Sequence, residues 1–408
     1  MLSIVSKPYF YRPSNLDLPA LLAEYGEGKW LGKDLWRLYY ILTVIYRKRW
    51  EEEWSKERFV PLNAKVLQDV LHCHKSRPSL DVLVKTGVIE MDSRFDYQVG
   101  VKSRRFRFTE RYSNVRFCEV TGLDLSRVSR RLLYGEALLS KLEPEHRYIY
   151  CWLKRTTLAD EVLGVLSKTT FDSVTQQDFY ERSVEMIQKK QFSFSVGRIS
   201  GRVFNNVTNL PRGLRPFLRI DGRPLAEIDI SASQPLLLSQ LYAPDEWERL
   251  EYLEMVLSGQ FYERLNAKLV KPYKTRDDIK EGVFREVFFG RIRPHPRPLS
   301  LVFSEMFPVL SQKVVEAKTP HYKALSHRLQ RAESEIVIQG AVGRLMQSNI
   351  PVLTVHDSIL TFPEHCDCVK TTLKNAVGER LGIVAKITVK PYSGFRGTDS
   401  DVGQLAAV

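Results

Sequence analysis

The sequence predicts an α+β protein built from more than one domain, and three observations support this prediction. Its 408 residues are enough for two or three domains, each with its own hydrophobic core. Segments with apolar residues at helical spacing alternate with short segments of strand-like alternation. The hydrophobic fraction of 43% is that of a soluble globular protein, and no apolar run approaches the ~18 to 20 residues of a membrane span.

Net charge and cysteine content indicate the class of partner and the compartment. The net charge of +13 favours a polyanionic partner such as nucleic acid, although a basic surface can also simply maintain solubility. The five cysteines include no C-x-x-C pair, which is typical of a reduced protein. The N-terminal MLSIVSKPYF lacks the charged head and long apolar core of a signal peptide. We therefore expect a cytoplasmic protein with no membrane partner.

Residues 1–115 are predicted to form a winged-helix-like N-terminal domain. The helical patterns PLNAKVLQDVLH and SLDVLVKTG precede two alternating strands in VIEMDSRFDYQVGVKSRRFRFTERY. A plain α+β lobe with a solvated charged hairpin is the alternative interpretation. In the winged-helix interpretation, the basic residues set to meet a phosphate backbone are Lys102, Arg104, Arg105 and Arg107. Residues 116–195 are predicted to be mainly helical.

Two aspartates lie in apolar, strand-like segments. LTVHDSIL places Asp357 on the more apolar face of a predicted strand, and LAEIDISASQPLLL places Asp229 at the end of a short strand. Acidic residues are seldom buried unless they are paired or bind a metal ion. If the fold brings these two carboxylates together, a divalent cation would relieve their repulsion, and a pair of magnesium ions is a standard device for phosphoryl transfer. The alternative is that each aspartate is a helix N-cap or turn residue.

Five segments in collinear order resemble motifs of the DNA polymerase I-like (family A) polymerases and of the related single-subunit phage-type RNA polymerases. DISASQ and VHDS resemble motifs A and C, and RDDIKEGVFREVFFG resembles motif B. SGRVFNNVTNLPRGLRPF resembles the segment before motif A, and RAESEIVIQG the helix before motif C. The resemblance covers about residues 195–395. It implies a right-hand polymerase fold with an antiparallel palm sheet and helical fingers.

The resemblance also implies a domain order and a role for each matching residue. Palm and fingers would occupy residues 196–408, with the fingers at about 265–325, and residues 116–195 would be a reduced, thumb-like region. Two Mg²⁺ ions, or Mn²⁺ in their place, would be bound by Asp229, Asp357 and the main-chain carbonyl of Ile230. The other implied roles are nucleotide binding by Arg276, Lys280, Phe284, Phe288 and Gln234, and primer-template contacts by Arg202, Arg331, Gln339 and His356. The four motif B residues lie four positions apart, so they are predicted to share one helix face.

The sequence departs from the family pattern at several positions. DNA-synthesising members usually have Glu at the position of Gln234 and Tyr at the position of Phe288, so we expect weakened rejection of ribonucleotides. Glu335 stands where many relatives have Asn, which puts that contact in doubt. The basic, Pro-rich RIRPHPRPLS replaces an ordered helix and is expected to shorten the fingers.

These observations predict a DNA polymerase, primase-like and without proofreading, that serves a plasmid, phage or mobile element. DNA template, primer and nucleoside triphosphates are the expected partners, and a single-strand-binding protein or helicase could be another. The alternatives are a compact single-subunit RNA polymerase and a non-catalytic DNA-binding initiator with a polymerase-like scaffold. HCHK and HCDC do not provide four zinc ligands at a usual spacing, so we expect no structural zinc.

Overall fold

The computed structural model describes residues 3–5, 9–49, 59–71, 73–93, 103–123, 139, 141–243 and 245–391. Over these residues the protein combines many helices with small antiparallel sheets. Its buried apolar side chains form two separate cores. One core contains residues between Phe10 and Phe117, and the other contains residues between Leu142 and Ile387. The chain therefore forms two lobes, and the carboxylates of interest lie in the second.

The first lobe contains the helices and strands predicted for the N-terminal domain. Strand β3 is followed by helices α3 and α4 and then by β4 and β5, and β5 pairs antiparallel with both other strands. Its strands are β1 (Ser3–Val5), β2 (Tyr11–Pro13), β3 (Val60–Leu62), β4 (Ile89–Met91), β5 (Arg104–Phe108) and β6 (Phe117–Glu119). Its helices are α1 (Leu18–Glu24), α2 (Leu35–Lys48), α3 (Ala64–Leu71), α4 (Cys73–Lys85) and α5 (Glu110–Ser113), with a 3₁₀ turn at Gly28–Trp30. This helix–helix–hairpin order is compatible with a winged helix, which stays a prediction.

The first lobe extends beyond the boundary predicted at residue 115. Strand β6 pairs with β2, with Tyr11 opposite Glu119, and Leu123 packs against the first core. In the opposite direction, β1 pairs with Ser193–Val196 (β8), a strand of the second lobe. The two lobes also share a buried carboxylate, because Asp178 accepts hydrogen bonds from the Tyr46 hydroxyl (2.6 Å) and the Phe117 N–H (2.9 Å). Packing therefore ties the N-terminal lobe to the rest of the chain.

The second lobe has three small antiparallel sheets. Their strand orders are β1-β8-β9, β11-β10-β7 and β13-β14-β12-β15. The strands are β7 (Thr156–Leu158), β8 (Ser193–Val196), β9 (Val203–Asn205), β10 (Leu218–Ile220), β11 (Arg223–Pro224), β12 (Ala226–Ile230), β13 (Leu353–Val355), β14 (Ser358–Thr361) and β15 (Ile387–Pro391). The four-stranded sheet carries both aspartates.

Helices surround these sheets and make up most of the second core. The helices are α6 (Pro144–Lys154), α7 (Glu161–Lys168), α8 (Val174–Gln188), α9 (Ser233–Leu238), α10 (Trp247–Ser258), α11 (Phe261–Ala267), α12 (Arg276–Val283), α13 (Pro298–Met306), α14 (Pro308–Lys318), α15 (Ala324–Ser334), α16 (Gly343–Gln347) and α17 (Cys366–Leu381). Two of these helices continue as π-helices: α12 continues through Phe284–Phe288, and α15 continues through Glu335–Val342. The second lobe also has 3₁₀ turns at Arg212–Phe217, Ser239–Leu241 and Pro363–His365. Within the described ranges, no helix has both the length and the apolar character needed to span a membrane.

Most of the segment predicted to shorten the fingers is not helical. Residues 291–297 form no helix or strand and are mostly exposed. The last three residues of RIRPHPRPLS begin helix α13 at Pro298, where the fixed φ of proline suits the first helical turn and its missing N–H is not needed. That this segment shortens a set of fingers stays a prediction.

Candidate active site

The four-stranded sheet brings Asp229 and Asp357 side by side. Asp229 is the fourth residue of β12 and lies opposite Ser358, the first residue of β14. Asp357 immediately precedes Ser358, and its carbonyl accepts a hydrogen bond from the Ile230 N–H at 3.4 Å. The convergence of two carboxylates separated by 128 positions (357 − 229) is therefore produced by the β12–β14 pairing.

The segment LTVHDSIL is a hairpin, which corrects the prediction of one continuous strand. Val355 of β13 pairs with Ser358 of β14, so His356 and Asp357 form a two-residue turn between them. His356 has φ of 53°, in the left-handed region that non-glycine residues adopt only at a cost of about 1 kcal/mol or more. The turn displays Asp357 at the sheet end, next to Asp229.

A second strained turn follows Asp229. Ala232, between β12 and α9, has φ of 51° and ψ of 44°. The Ser231 N–H is bonded to the Lys386 carbonyl at 3.0 Å, which fixes the start of this turn. Backbone strain of this kind persists only where the surrounding structure enforces it, and it is common at functional sites.

The two carboxylates lie in an electrostatically unfavourable environment. Burial raises the pKa of Asp357 well above its ordinary value, and the charges of Glu333 and Asp229 raise it further. Burial also raises the pKa of Asp229, against the lowering effect of Lys390. A pair of acids whose charged forms are disfavoured by burial and by each other is typical of a functional site.

A third acid, Glu333 on α15, lies beside this pair and was missed in the sequence analysis. It is 1% exposed, and its carboxylate forms an ion pair with Arg202 at 2.7 Å. The same carboxylate accepts hydrogen bonds from the side chains of Gln234 and Ser233 at the start of α9. We call Glu333, Arg202 and Gln234 the carboxylate clasp. The sequence did contain a signal, because Glu333 precedes the buried Ile336 and Val337 by three and four residues and so falls on the apolar helix face.

Arg202 and Gln234, which were predicted to contact the primer-template and the nucleotide, are both held by Glu333. Arg202, predicted to contact the primer-template, is largely buried against Glu333. Gln234 is 7% exposed, and its Oε1 has no hydrogen-bond partner within the described part of the chain. Gln234 is thus held by its amide nitrogen while its carbonyl oxygen stays available as an acceptor.

Helix α12 and its π-helical continuation carry the predicted motif B residues. Thr275 and Asp278 form a capping box that fixes the start of α12. Arg276 is exposed and pairs with Glu263 at 2.7 Å. Lys280 is exposed, and its charge lowers the pKa values of both Asp229 and Asp357, which places it in the field of the two carboxylates.

Phe288 does not share an open face with the other motif B residues, which corrects that prediction. It is fully buried and packs against Phe261 and Phe284 in the core. The four-residue spacing assumes 3.6 residues per turn, but the helix widens to a π-helix at Phe284–Phe288, so the later side chain rotates inward. Phe284 is half-buried and stacks on Phe289, and these two rings are the candidates for stacking against a base.

Gly290, two residues after the π-helical segment, lies very close to the backbone of that segment. A Cβ atom at this position would lie 1.9 Å from the carbonyl oxygen of Arg285, so no other residue fits without moving the backbone. The carbonyl of Gly290 accepts a hydrogen bond from the buried Lys318 amine at 2.9 Å. The end of the helix is therefore closely packed and tied to α14.

Tyr262 is a further residue near the site that sequence reasoning missed. Its hydroxyl is buried and has no hydrogen-bond partner among the described residues. Burial raises its pKa, and the charge of Asp357 raises it further while Arg276 lowers it. The guanidinium carbon of Arg276 lies 5.6 Å from the centre of the Tyr262 ring. A hydroxyl without a partner among the described residues therefore belongs to a side chain that contacts Arg276 and is influenced by the charge of Asp357, although its sequence context, SGQFYERL, gave no such signal.

The other predicted nucleic-acid contacts lie in different surroundings. Burial lowers the pKa of His356 to about 4, with Arg202 and Arg215 adding to the effect, so its imidazole is neutral at neutral pH. Arg331 and Gln339 are exposed, and Arg331 pairs with Glu335 at 3.4 Å. Their contacts with a primer-template stay predictions.

The basic hairpin of the first lobe is only partly available for a phosphate backbone. Arg105 is buried against Asp92 at 3.2 Å, and Arg107 pairs with Glu90 at 2.7 Å. These two arginines contribute to the fold, while Arg104 is half-buried. Lys102 and the tip of the hairpin lie outside the described residues, so the contact with DNA stays a prediction.

The donor set around Asp229 fits a hard divalent cation. Mg²⁺ prefers oxygen ligands and is usually bound by one or two carboxylates together with substrate phosphates and waters. Asp229 and Asp357 would provide the carboxylates, and a cation would relieve the repulsion that raises the pKa of Asp357. Within the described ranges, no group of three or more His, Cys, Asp or Glu side chains is arranged to hold a metal ion.

Comparisons with known proteins found distant likeness to solved structures but no match to a sequence family. No protein-family model matches the sequence, and no curated protein sequence matches it. The POL domain of Pol1 from M. smegmatis, solved in complex with DNA primer-template and dNTP, matches with a TM-score of 0.39 and 14% sequence identity. The match covers 93% of this chain and 70% of that chain. A likeness this distant assigns neither a family nor an activity, so the function must be argued from the site.

Proposed function

We propose that this chain catalyses template-directed nucleotidyl transfer, as a primase-like DNA polymerase of right-hand fold without proofreading. The observation that carries the proposal is the pairing of β12 with β14, which puts Asp229 and Asp357 next to each other at one end of a sheet. The charge of Lys280 lowers the pKa values of the same two carboxylates. Two acids and a lysine so arranged are what the transfer of a nucleoside phosphate needs.

The residues of this chain would divide the reaction between them. The O3′ of a primer attacks the α-phosphorus of a nucleoside triphosphate, the bond from that phosphorus to the bridging oxygen breaks, and pyrophosphate leaves. Asp229 and Asp357 would hold divalent cations, which when bound lower the pKa of the attacking hydroxyl and offset charge on the phosphates. Lys280, on the open side of α12, would bind the triphosphate and offset the negative charge of the departing pyrophosphate.

A compact RNA polymerase is the second candidate, because the D-x-S-x-S spelling at Asp229, Ser231 and Ser233 and the Ser358 after Asp357 resemble the RNA polymerase branch. Gln234 lacks the negative charge of Glu, and Phe288 is buried and carries no hydroxyl that could hold it. The sugar choice of the site therefore rests on the carboxylate clasp, and a ribonucleotide is a plausible substrate. A non-catalytic DNA-binding initiator is the third candidate, supported by the helix–helix–hairpin order of the first lobe.

Extension of a labelled primer on a DNA template tests the proposal. The reaction would contain Mg²⁺ and either deoxy- or ribonucleotides, with an unprimed template in parallel. We expect extension by the wild type and its loss in Asp229→Ala and in Asp357→Ala. Asp160→Ala removes an exposed acid that makes no side-chain capping bond, and this control should extend normally.

The reactions with different nucleotides and with primed or unprimed template distinguish the three candidate functions. Preference for deoxynucleotides supports a DNA polymerase, products from the unprimed template support a primase, and long ribonucleotide products support an RNA polymerase. Equal extension by the wild type and both aspartate variants would overturn the proposal. DNA binding without any extension would favour the initiator.

A further inference from the structure

A cavity of about 420 Å³ lies beside helix α15, and its charge is strongly positive. Ligand-binding pockets commonly have volumes of about 300 to 1,000 Å³, so this one has room for a small molecule or the end of a larger one. The residues that matter for its chemistry are Arg249, Arg328, Arg331, Arg380, Glu335 and Tyr242.

The cavity is separate from the carboxylate pair. Arg331 and Glu335 line it and lie one helical turn apart, whereas Glu333, between them, contacts Gln234. Successive residues of an α-helix are about 100° apart around its axis, so Glu333 is about 200° from Arg331. The cavity and the carboxylate clasp therefore lie on opposite sides of α15.

The described residues neutralise the arginines of the cavity only in part. Glu335 is shared by Arg331 at 3.4 Å and Arg380 at 3.3 Å. Arg249 and Arg328 also line the cavity, and neither forms an ion pair with any residue that the structure describes. The four guanidinium groups and the one carboxylate that line the cavity have a net charge of +3 (4 − 1). An anion in the cavity would remove their mutual repulsion.

We propose that this cavity binds a polyphosphate group, such as the triphosphate of a nucleotide or of a nucleic-acid 5′ end. The planar guanidinium fork binds two phosphate oxygens at once, and several forks facing one volume suit a chain of phosphates better than a single carboxylate. A charge of +3 is close to that of a triphosphate with opposite sign. The inference goes beyond nucleotidyl transfer and does not depend on it, because the ligand lies outside the carboxylate pair.

Calorimetric titration of the full chain with sodium tripolyphosphate, in EDTA, tests the site. The double variant Arg249→Gln/Arg328→Gln should bind tripolyphosphate at least tenfold more weakly than the wild type. Arg147→Gln/Lys168→Gln removes the same charge from exposed positions elsewhere and should bind like the wild type.

Two oligoribonucleotides of the same sequence distinguish a free nucleotide from a nucleic-acid end as the ligand. One carries a 5′-triphosphate and the other a 5′-hydroxyl. Tighter binding of the triphosphate form, lost in Arg249→Gln/Arg328→Gln, identifies a nucleic-acid end. Binding of tripolyphosphate without that difference identifies a free polyphosphate or nucleotide.

Two results would overturn the inference. They are unchanged binding of tripolyphosphate in Arg249→Gln/Arg328→Gln, and equal binding of sulfate and tripolyphosphate by the wild type at matched ionic strength. Thermal melting confirms that each variant is folded. If the double variant is unfolded, Arg328→Gln alone decides, because Arg328 is exposed. Failure of primer extension would leave all of these binding results standing.

Discussion

The amine of Lys390 lies 3.3 Å from Oδ2 of Asp229, so a candidate metal-binding carboxylate is paired with a lysine of the neighbouring strand. The register of β12 and β15 explains the contact. Thr388 is opposite Asp229, and Lys390, two residues further along β15, is on the same sheet face. The lysine lowers the pKa of Asp229 against the effect of burial. Lys390 and a divalent cation would therefore compete for the same oxygen atom.

Lys390→Gln should tighten the binding of a divalent cation. The variant removes a positive charge beside Asp229, but the lysine side chain is 46% exposed, so solvent screening limits the gain to about two- to fivefold. Binding of Mn²⁺ measured by electron paramagnetic resonance checks this without relying on catalysis. Lys374→Gln removes an exposed lysine from α17 and should leave affinity unchanged. Weaker binding in Lys390→Gln would contradict the prediction.

Asp357→Asn should stabilise the protein in the absence of metal. The substitution removes a buried charge that Glu333 and Asp229 repel, and a gain of about 1 kcal/mol would raise the melting temperature by about 2 to 4 °C. Because folding raises the pKa of this acid, the wild type loses stability as pH rises above the ordinary value, so the difference should grow from pH 4 to pH 8. Thermal melting in EDTA measures it.

Divalent metal provides the control for this variant. Adding Mn²⁺ should raise the melting temperature of the wild type, because the ion binds only the folded site. Asp357→Asn should respond much less, and Asp160→Asn should respond like the wild type. A variant that is less stable than the wild type in EDTA at pH 8 would contradict the prediction that burial and the charges of Glu333 and Asp229 disfavour the Asp357 carboxylate.

Glu333→Ala should strongly destabilise the second lobe. The change leaves Arg202 largely buried without its carboxylate, and breaking a buried ion pair on one side costs about 3 to 5 kcal/mol. Glu333→Gln retains a hydrogen-bond acceptor for Arg202, so its free energy of unfolding should fall by less than that of Glu333→Ala. Urea denaturation gives both values, with Glu316→Ala on the surface of α14 as the control. A loss below about 1 kcal/mol in Glu333→Ala, which is the size of an exposed pair, would contradict the buried clasp.

The carboxylate clasp and the Asp357 hairpin show where sequence reasoning succeeds and fails. The apolar alternation around Asp357 correctly predicts strands, and Asp229 does end a short strand before a helix. The turn at His356 and Asp357 was not predicted because the apolar residues on both sides suggested one continuous strand, although Asp is a common turn residue, and the turn is defined by the pairing of β13 with β14. Local sequence patterns predict local structure but not the strain that tertiary contacts impose.

Long-range partners were equally invisible in the sequence. Glu333 is 99 positions from Gln234, and Lys390 is 161 positions from Asp229. Periodicity placed Glu333 on a buried face but could not identify what it contacts. For Phe288 the periodicity itself was misleading, because the π-helix changes the number of residues per turn.

Gln234→Ala should increase the acceptance of ribonucleotides if the chain is a polymerase. Gln234 is buried at the start of α9 and held by Glu333, so its bulk is fixed beside the carboxylates. Removing that bulk should change the ratio of kcat/KM for ribo- and deoxynucleotides by about tenfold or more, which corresponds to about 1.4 kcal/mol. Gln347→Ala, exposed at the end of α16, serves as the control. A fall in ribonucleotide use would instead indicate that Oε1 of Gln234 accepts a bond from the 2′-hydroxyl.

The buried amine of Lys318 should make the stability of the second lobe depend on alkaline pH. Burial lowers the pKa of Lys318 to about 8, and its amine donates to the carbonyls of Val287 and Gly290 at the end of the π-helix. Between about pH 8 and the ordinary lysine value, the unfolded chain binds more protons than the folded chain, so unfolding free energy should rise with pH. The slope has an upper limit of about 1.4 kcal/mol per pH unit.

Comparison of the wild type with Lys318→Met isolates this effect. The variant cannot titrate at this position, so the wild type should gain stability relative to Lys318→Met as pH rises from 8 to 10, in urea titrations at each pH. Lys268→Met, at an exposed position, should show no such gain. A constant difference between the wild type and Lys318→Met across this range would mean that the two carbonyls stabilise the ammonium enough to cancel the effect of burial.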